Sequence, residues 1–391
     1  MSLRHLPHVR SGAAHKARLA ASIAAVLVFG TACSSSGTDS QSATGSAGSS
    51  ASSATTPSDS TSSDSTSPGD ANYDATTSGK ASAAVLSATK AFLTTLSSAQ
   101  KTSVAGEWTQ ANLSQWSNLP DQLFQRAGLR MDTLSSAQQA AVLKILKAAL
   151  SEEGYEQVTR ITYGDGVLKD QGGIDLDFGA DHYHVRILGT PSATGKWTLQ
   201  YGGHHLAVNV TMAGKQMTLA PTFWGAQPAS YTKGSSETEP LSGETKKAFA
   251  LVDSLDATQL KAAVLPTAVT EIVLGAGQDG KTLAAEGVKA STFTAEQKTL
   301  LLDLVDEWIT PLNEEQAAAK LAAVKKNLAD TTFAWYGSTE IGNPIYYRVQ
   351  GPTFTIEFAH QQGQGANAGG ITHIHSIYRE PGNDYGAGLT S

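Results

Sequence analysis

Seven histidines gather in two stretches of this chain: His182, His184, His204 and His205 in one, and His360, His373 and His375 in the other. Neutral imidazole is both a proton acceptor and a metal ligand near physiological pH. The chain has one cysteine, Cys33, so any metal must be held by His, Asp or Glu. His373-Ile374-His375 has the i, i+2 spacing that puts both rings on one face of a strand, roughly 6.5–7 Å apart. A first-row ion about 2.0–2.1 Å from each nitrogen could be shared by such a pair. If a strand runs through His204 and His205, their rings point to opposite faces. His204 then lies with Leu206, Val208 and Val210 on the core side, and His205 with Ala207 and Asn209. His205 is the preferred third ligand, with His204 the other metal candidate.

Glu357 lies on the opposite strand face from Phe354, Ile356 and Phe358. It is the candidate carboxylate ligand or general base. Arg348 and Arg379 could grip a substrate anion through two parallel hydrogen bonds. They could equally pair with an acid such as Asp384 or Glu380, and the structural pairing is favoured. His182 and His184 share a face with Arg186, which would repel a cation. His360, next to a Gln/Gly-rich stretch, is expected to be solvated. All these histidines could also do no more than hydrogen-bond to carbonyls and carboxylates.

The elements that must position these residues read as an α+β fold. Four helix starts carry a capping residue followed three positions later by Gln: Ser97/Gln100, Ser135/Gln138, Asp256/Gln259 and Thr294/Gln297. The intervals between the first and second pair, and between the third and fourth, are equal. Amphipathic helices follow at 140–150 and 298–309. The period then changes to two. Strands are expected at 183–187, 197–201 and 204–210, and again at 346–350, 354–358 and 372–378, with antiparallel pairing. The chain thus reads as helical segments followed by antiparallel β regions, twice over, with pseudo-repeated halves at 81–240 and 241–391 forming one globular unit. Helices running before strands argue against a doubly wound nucleotide-binding sheet, and no glycine-rich phosphate loop opens a helix.

Gly203-His-His-Leu206 with Asn209, Tyr347-Arg-Val-Gln-Gly-Pro352, Ile356-Glu357, His373-Ile-His-Ser376, Arg379-Glu-Pro381 and Asp384-Tyr-Gly386 together resemble a bacterial family catalogued as domain of unknown function 3500. Trp116-Ser-Asn-Leu-Pro120, Arg126-Ala-Gly-Leu129, Leu150-Ser-Glu-Glu-Gly-Tyr155 and 189–195 are similar to its segments too. The resemblance covers about 85 to 391. It brings no activity with it, but implies that Gly-His-His-Leu and His-Ile-His-Ser belong to one recurring pattern.

The first 32 residues carry Arg4, Arg10, Lys16 and Arg18, no acid, and an apolar run at 19–29. That run is short of the roughly 20 residues a spanning helix needs, so 1–32 reads as a secretory signal. Gly30-Thr-Ala-Cys33 resembles a bacterial lipobox, which implies a lipid on Cys33. A Ser/Thr/Gly-rich tether at 33–80 has too little apolar surface to offset its ordering entropy. As a coil it would span roughly 35–40 Å r.m.s.. Loss of the four cations in the signal takes the formal charge from −7 to −11, a poor match for phosphate backbones. The expected partners are therefore a membrane, reached through Cys33, and a small-molecule or cell-envelope ligand, not nucleic acid.

These readings converge on an exported lipoprotein at the outer face of a bacterial cell membrane. It would hold a divalent metal, zinc before copper or manganese, and act as a metal-dependent hydrolase. The alternatives are a non-catalytic envelope protein that binds a metal or small ligand, and a structural or interaction module.

Overall fold

The structure, a computed structural model, describes residues 77–172, 176–362 and 371–390. The signal, Cys33 and the tether up to residue 76 lie outside them. Among the described residues no helix is long and apolar enough to cross a membrane.

The helices open the first half: α1 (Lys80–Thr94), α2 (Ser98–Val104), α3 (Ser136–Ala149) and α4 (Glu152–Gln171). Strands β1 (His184–Leu188), β2 (Lys196–Gly203), β3 (Leu206–Ala213) and β4 (Thr222–Ala226) follow. The second half repeats the order with α5 (Ser242–Asp253), α6 (Ala257–Ala263), α7 (Ala295–Ile309) and α8 (Glu314–Lys326). Its strands are β5 (Thr332–Gly337), β6 (Ile345–Gly351), β7 (Phe354–Gln362) and β8 (Ile371–Arg379). The fold is α+β, with a mixed but mostly antiparallel sheet.

Local chemistry is the same in both halves. All four expected capping boxes form, at Ser97, Ser135, Asp256 and Thr294. Their glutamines then meet. Gln100 and Gln138 exchange side-chain hydrogen bonds 38 positions apart, and so do Gln259 and Gln297. Gln138 also donates to the Thr95 carbonyl and Gln297 to that of Ser254, each across 43 positions. Gly128 and Gly287, at φ 104° and 91°, sit where a Cβ would come within 2.4 Å of the Val185 carbonyl oxygen and 2.1 Å of that of Phe333. Only glycine fits such a crossing of chains.

The strands run in the order β1-β2-β3-β4-β8-β7-β6-β5, every neighbour antiparallel. Two-residue strands extend the ends: Ala105–Gly106, parallel to β1, and Val288–Lys289, antiparallel to β5. The seam between halves is the β4–β8 pair, from Thr222↔Tyr378 to Ala226↔Ile374. Above it Ser151 N–H donates to the Pro311 carbonyl and Asn313 N–H to the Ala149 carbonyl, both at 3.0 Å. The two bonds flank an isolated antiparallel bridge between Leu150 and Leu312 that ties the halves together.

One sheet face carries the main core. Val185, Trp197, Val208, Val210, Trp224, Trp335, Tyr347, Ile356 and Phe358 pack there with Val85, Phe92, Val142, Leu146, Leu301 and Trp308 of the helices. Among the described residues the other face is covered by the short helix Gln110–Leu113 and by irregular chain. Leu188, Ala207, Phe223 and Ile377 meet Leu113, Trp116 and Leu274, which arrive on largely irregular chain. The alternation read from the sequence holds in β3, β7 and β8. Two strands, β4 and β5, lay outside the sequence expectation, and one boundary is corrected. His204 and His205 are not strand residues but the two-residue turn between β2 and β3.

Candidate metal centre

The turn changes what the adjacent histidines can do. His205 has φ 59°, a left-handed conformation that histidine enters more readily than most side chains. Its N–H donates to the Asn118 carbonyl at 3.0 Å, and its carbonyl accepts from Gly225 N–H at 2.8 Å. A Cβ on Gly225 would lie 3.1 Å from Cδ2 of the His205 ring, so the glycine makes room for it. The expectation that the two rings diverge to opposite faces is therefore replaced. They lie 3.8 Å apart, centroid to centroid.

His373 and His375 share the face of β8 opposite the main core, with ring centroids 5.0 Å apart. Nε2 of His375 lies 3.0 Å from Nε2 of His205. One ligand nitrogen from each of His205, His373 and His375 falls within 4.8 Å of the others. Three histidines distant in sequence thus stand within ligand distance and could hold a metal ion. A tetrahedral site with bonds of 2.0–2.1 Å sets its nitrogens about 3.3 Å apart, so the three rings would have to close in to bind one ion.

The surroundings orient His375 and favour the neutral form of His205 and His373. Nδ1 of His375 lies 2.8 and 2.9 Å from the Glu271 carboxylate oxygens. An ionised carboxylate only accepts, so neutral His375 places its proton on Nδ1 and turns the Nε2 lone pair inward. Burial, then His204, His375 and His373, hold His205 well below the usual imidazole range. Burial, then His375 and His204, lower His373 to about 3. Nδ1 of His205 is buried without a hydrogen-bond partner. With the His375 proton on Nδ1, the 3.0 Å contact makes His205 Nε2–H the donor to His375 Nε2, so ligation by His205 Nε2 would require its proton to move to the unpartnered Nδ1.

His204 stands beside the three without joining them. Its Nδ1 is 2.6 Å from Asp165, which also accepts from Gly179 N–H. The Tyr183 hydroxyl donates to the His204 carbonyl at 2.9 Å.

The remaining expected site residues are engaged elsewhere. Glu357 is fully buried and accepts from Val273 N–H at 2.6 Å, Leu274 N–H at 2.8 Å and the Tyr346 hydroxyl at 2.8 Å. Burial pushes its carboxyl up, against those three donors. It faces peptide groups rather than the imidazoles, so neither a ligand nor a base role fits its geometry. Arg348 donates to Glu286 at 2.6 Å and to the Ala284 carbonyl. Arg379 pairs with Asp384 at 2.6 Å and Asp279 at 2.9 Å. The favoured structural pairing is what both arginines make. His360 is buried, with Nε2 3.4 Å from the Thr245 hydroxyl, which corrects the expectation of a solvated ring. His184 sits 2.8 Å from Asp121, and His182 lies among Asp132, Asp177 and Asp181. A cleft of about 1170 Å³ opens along Arg379, Tyr385 and Lys281 and includes none of the histidines.

The matching family is described as a protein of unknown function, DUF3500, and the match runs over residues 78–387. The chain belongs to the DUF3500 family. No curated protein and no solved structure matches it. The DUF3500 match spans both halves and every member of the histidine centre.

Two residues beside the histidines escaped sequence reasoning in this DUF3500 chain: Glu271, which meets His375, and Asp165, which meets His204. Asp165 had a signal. It falls on the buried stripe of α4 with Gln157, Val158, Ile161 and Gly164, where an acid is out of place unless paired. Glu271 lies on irregular chain and carries no periodicity to betray it.

Proposed function

We propose that this protein is a cell-surface lipoprotein, held on the outer face of a bacterial membrane through Cys33, in which His205, His373 and His375 bind a divalent metal, zinc in the first place, for a hydrolytic reaction. The observation that carries the proposal is the convergence of three imidazoles from two distant stretches, one of them backed by a carboxylate. Three neutral nitrogen donors suit zinc, copper and nickel more than magnesium or calcium. A three-histidine set leaves a fourth position for water or substrate, the pattern of catalytic rather than structural zinc sites. When bound, the ion would supply Lewis acidity and an acidified water. The chain's own part is to keep His205 and His373 neutral by burial, to set the His375 tautomer through Glu271 and to hold His205 in its turn.

A second reading, metal retention without catalysis, draws support from the depth of the donors: His205 is 4 % and His375 7 % exposed.

Protein purified without a histidine tag, then analysed for metals and titrated with zinc, tests the proposal. We expect about one ion per chain, lost in H205A and H375A. At 100-fold excess over Kd, zinc should add about 2.7 kcal/mol to stability. Absence of bound metal, with a melting temperature unmoved by zinc, copper or manganese, would overturn it. Four protein-derived donors around the ion, with no exchangeable position in its absorption spectrum, would favour retention over hydrolysis.

A further inference from the structure

Residues 271–275 cross the histidine face of the sheet as irregular chain, and two buried side chains hold them. Glu357 takes the donors: Val273 N–H and Leu274 N–H, one on each carboxylate oxygen. Arg379 takes the acceptors: its Nε donates to the Leu274 carbonyl at 2.7 Å and its Nη2 to that of Gly275 at 2.9 Å. The clamp is itself braced, by the Tyr346 hydroxyl on Glu357 and by Asp279 and Asp384 on Arg379. At the near end of the clamped stretch, both oxygens of Glu271 meet Nδ1 of His375.

We propose that Glu357 and Arg379 are positioning residues of the histidine centre, acting through Glu271. Ile272 and Leu274 also pack this stretch against the sheet. Buried charges cost several kcal/mol to desolvate unless they are well paired, and here they bond to consecutive peptide groups. Such bonds fix the peptide planes, and hence the direction in which Glu271 leaves the chain. A carboxylate aimed at the outer nitrogen of a ligating histidine sets its tautomer and basicity, and its loss typically weakens metal binding about 10–100-fold. The consequence for metal affinity rests on the metal reading above; the geometric claim does not.

Nitrogen-15 histidine spectra of metal-free protein test the geometry directly. The His375 Nδ1 proton, bonded to a carboxylate, should give a downfield, slowly exchanging resonance, identified by its loss in E271A. We expect E357Q and R379K each to lose it or speed its exchange at least about tenfold, and Y346F to show a smaller effect. E286Q, which removes the carboxylate serving Arg348 and Tyr336, should leave it in place. A wild-type resonance in folded E357Q and R379K overturns the proposal. Should either variant fail to fold, the other and Y346F decide. Zinc competition then separates the two readings. If Glu357 acts through Glu271, the E271A/E357Q double variant loses no more affinity than E271A alone, and additive losses count against it. Failure of the wild type to bind zinc sinks the metal reading and leaves the spectroscopic result standing.

Discussion

At His205, ring and backbone are fixed by different neighbours: Asn118 and Gly225 hold the peptide groups, and His375 meets the ring. Gly225→Ala would press a methyl group against that ring and against the Ile374 carbonyl, 2.8 Å away. We expect zinc affinity to fall by at least about tenfold in variant protein whose circular dichroism shows it folded, because the donor is displaced. Isothermal titration with zinc checks this. His360 offers a pH test apart from the ligands. Burial lowers it from 6.5 to about 4, so the unfolded chain takes up its proton first. The stability contributed is complete above pH 6.5 and drains away as pH falls toward 4. H360Q should flatten that part of the urea-derived stability profile, and an unchanged slope between pH 4 and 6.5 would count against it. The chemistry of single residues was legible in part. His373 and His375 share a face because strand alternation is strict, and that rule needs only sequence. The pairing of Arg379 with Asp384 was legible too, but the role of Glu357 and the partner of Arg348 were not, because Val273, Leu274 and Glu286 arrive on irregular chain where no period indicates what lies beneath.

At the scale of elements, the glutamine pairs show how far local grammar reaches. Each glutamine closes a capping box and then bonds its counterpart 38 positions away. Truncating one leaves its partner's amide short of a hydrogen bond in a nearly closed site, a loss of about 1–3 kcal/mol. Q138A and Q297A should therefore destabilise by similar amounts in urea denaturation, despite lying in different halves. Unequal effects of several kcal/mol would mean that the matching contacts do not do matching work. The helix starts were readable because capping is chemistry between near neighbours. The β2–β3 turn was not, since Gly203-His204-His205-Leu206 lacks the Asn-Gly or Asp-Gly signature of tight hairpins. Apolar alternation on either side hid the interruption.

For the whole molecule, the address and the fold make separable predictions. Cys33→Ser removes the proposed acceptor of the lipid, so the protein should move from the membrane fraction to the culture medium while its zinc binding is unchanged. Retention of C33S on membranes would argue for another anchor. Zinc should raise the melting temperature of the full chain in one cooperative step, because its ligands come from both halves; two separate transitions with only one responding would contradict this. That arrangement has a further consequence at the β4–β8 seam. His205 rides with β4 through Gly225, while His373 and His375 ride on β8. Slippage of the seam by a single residue would turn both β8 imidazoles to the helical side. Capture of an ion therefore acts as a gauge of correct assembly, closing only on chains whose two portions have docked in step.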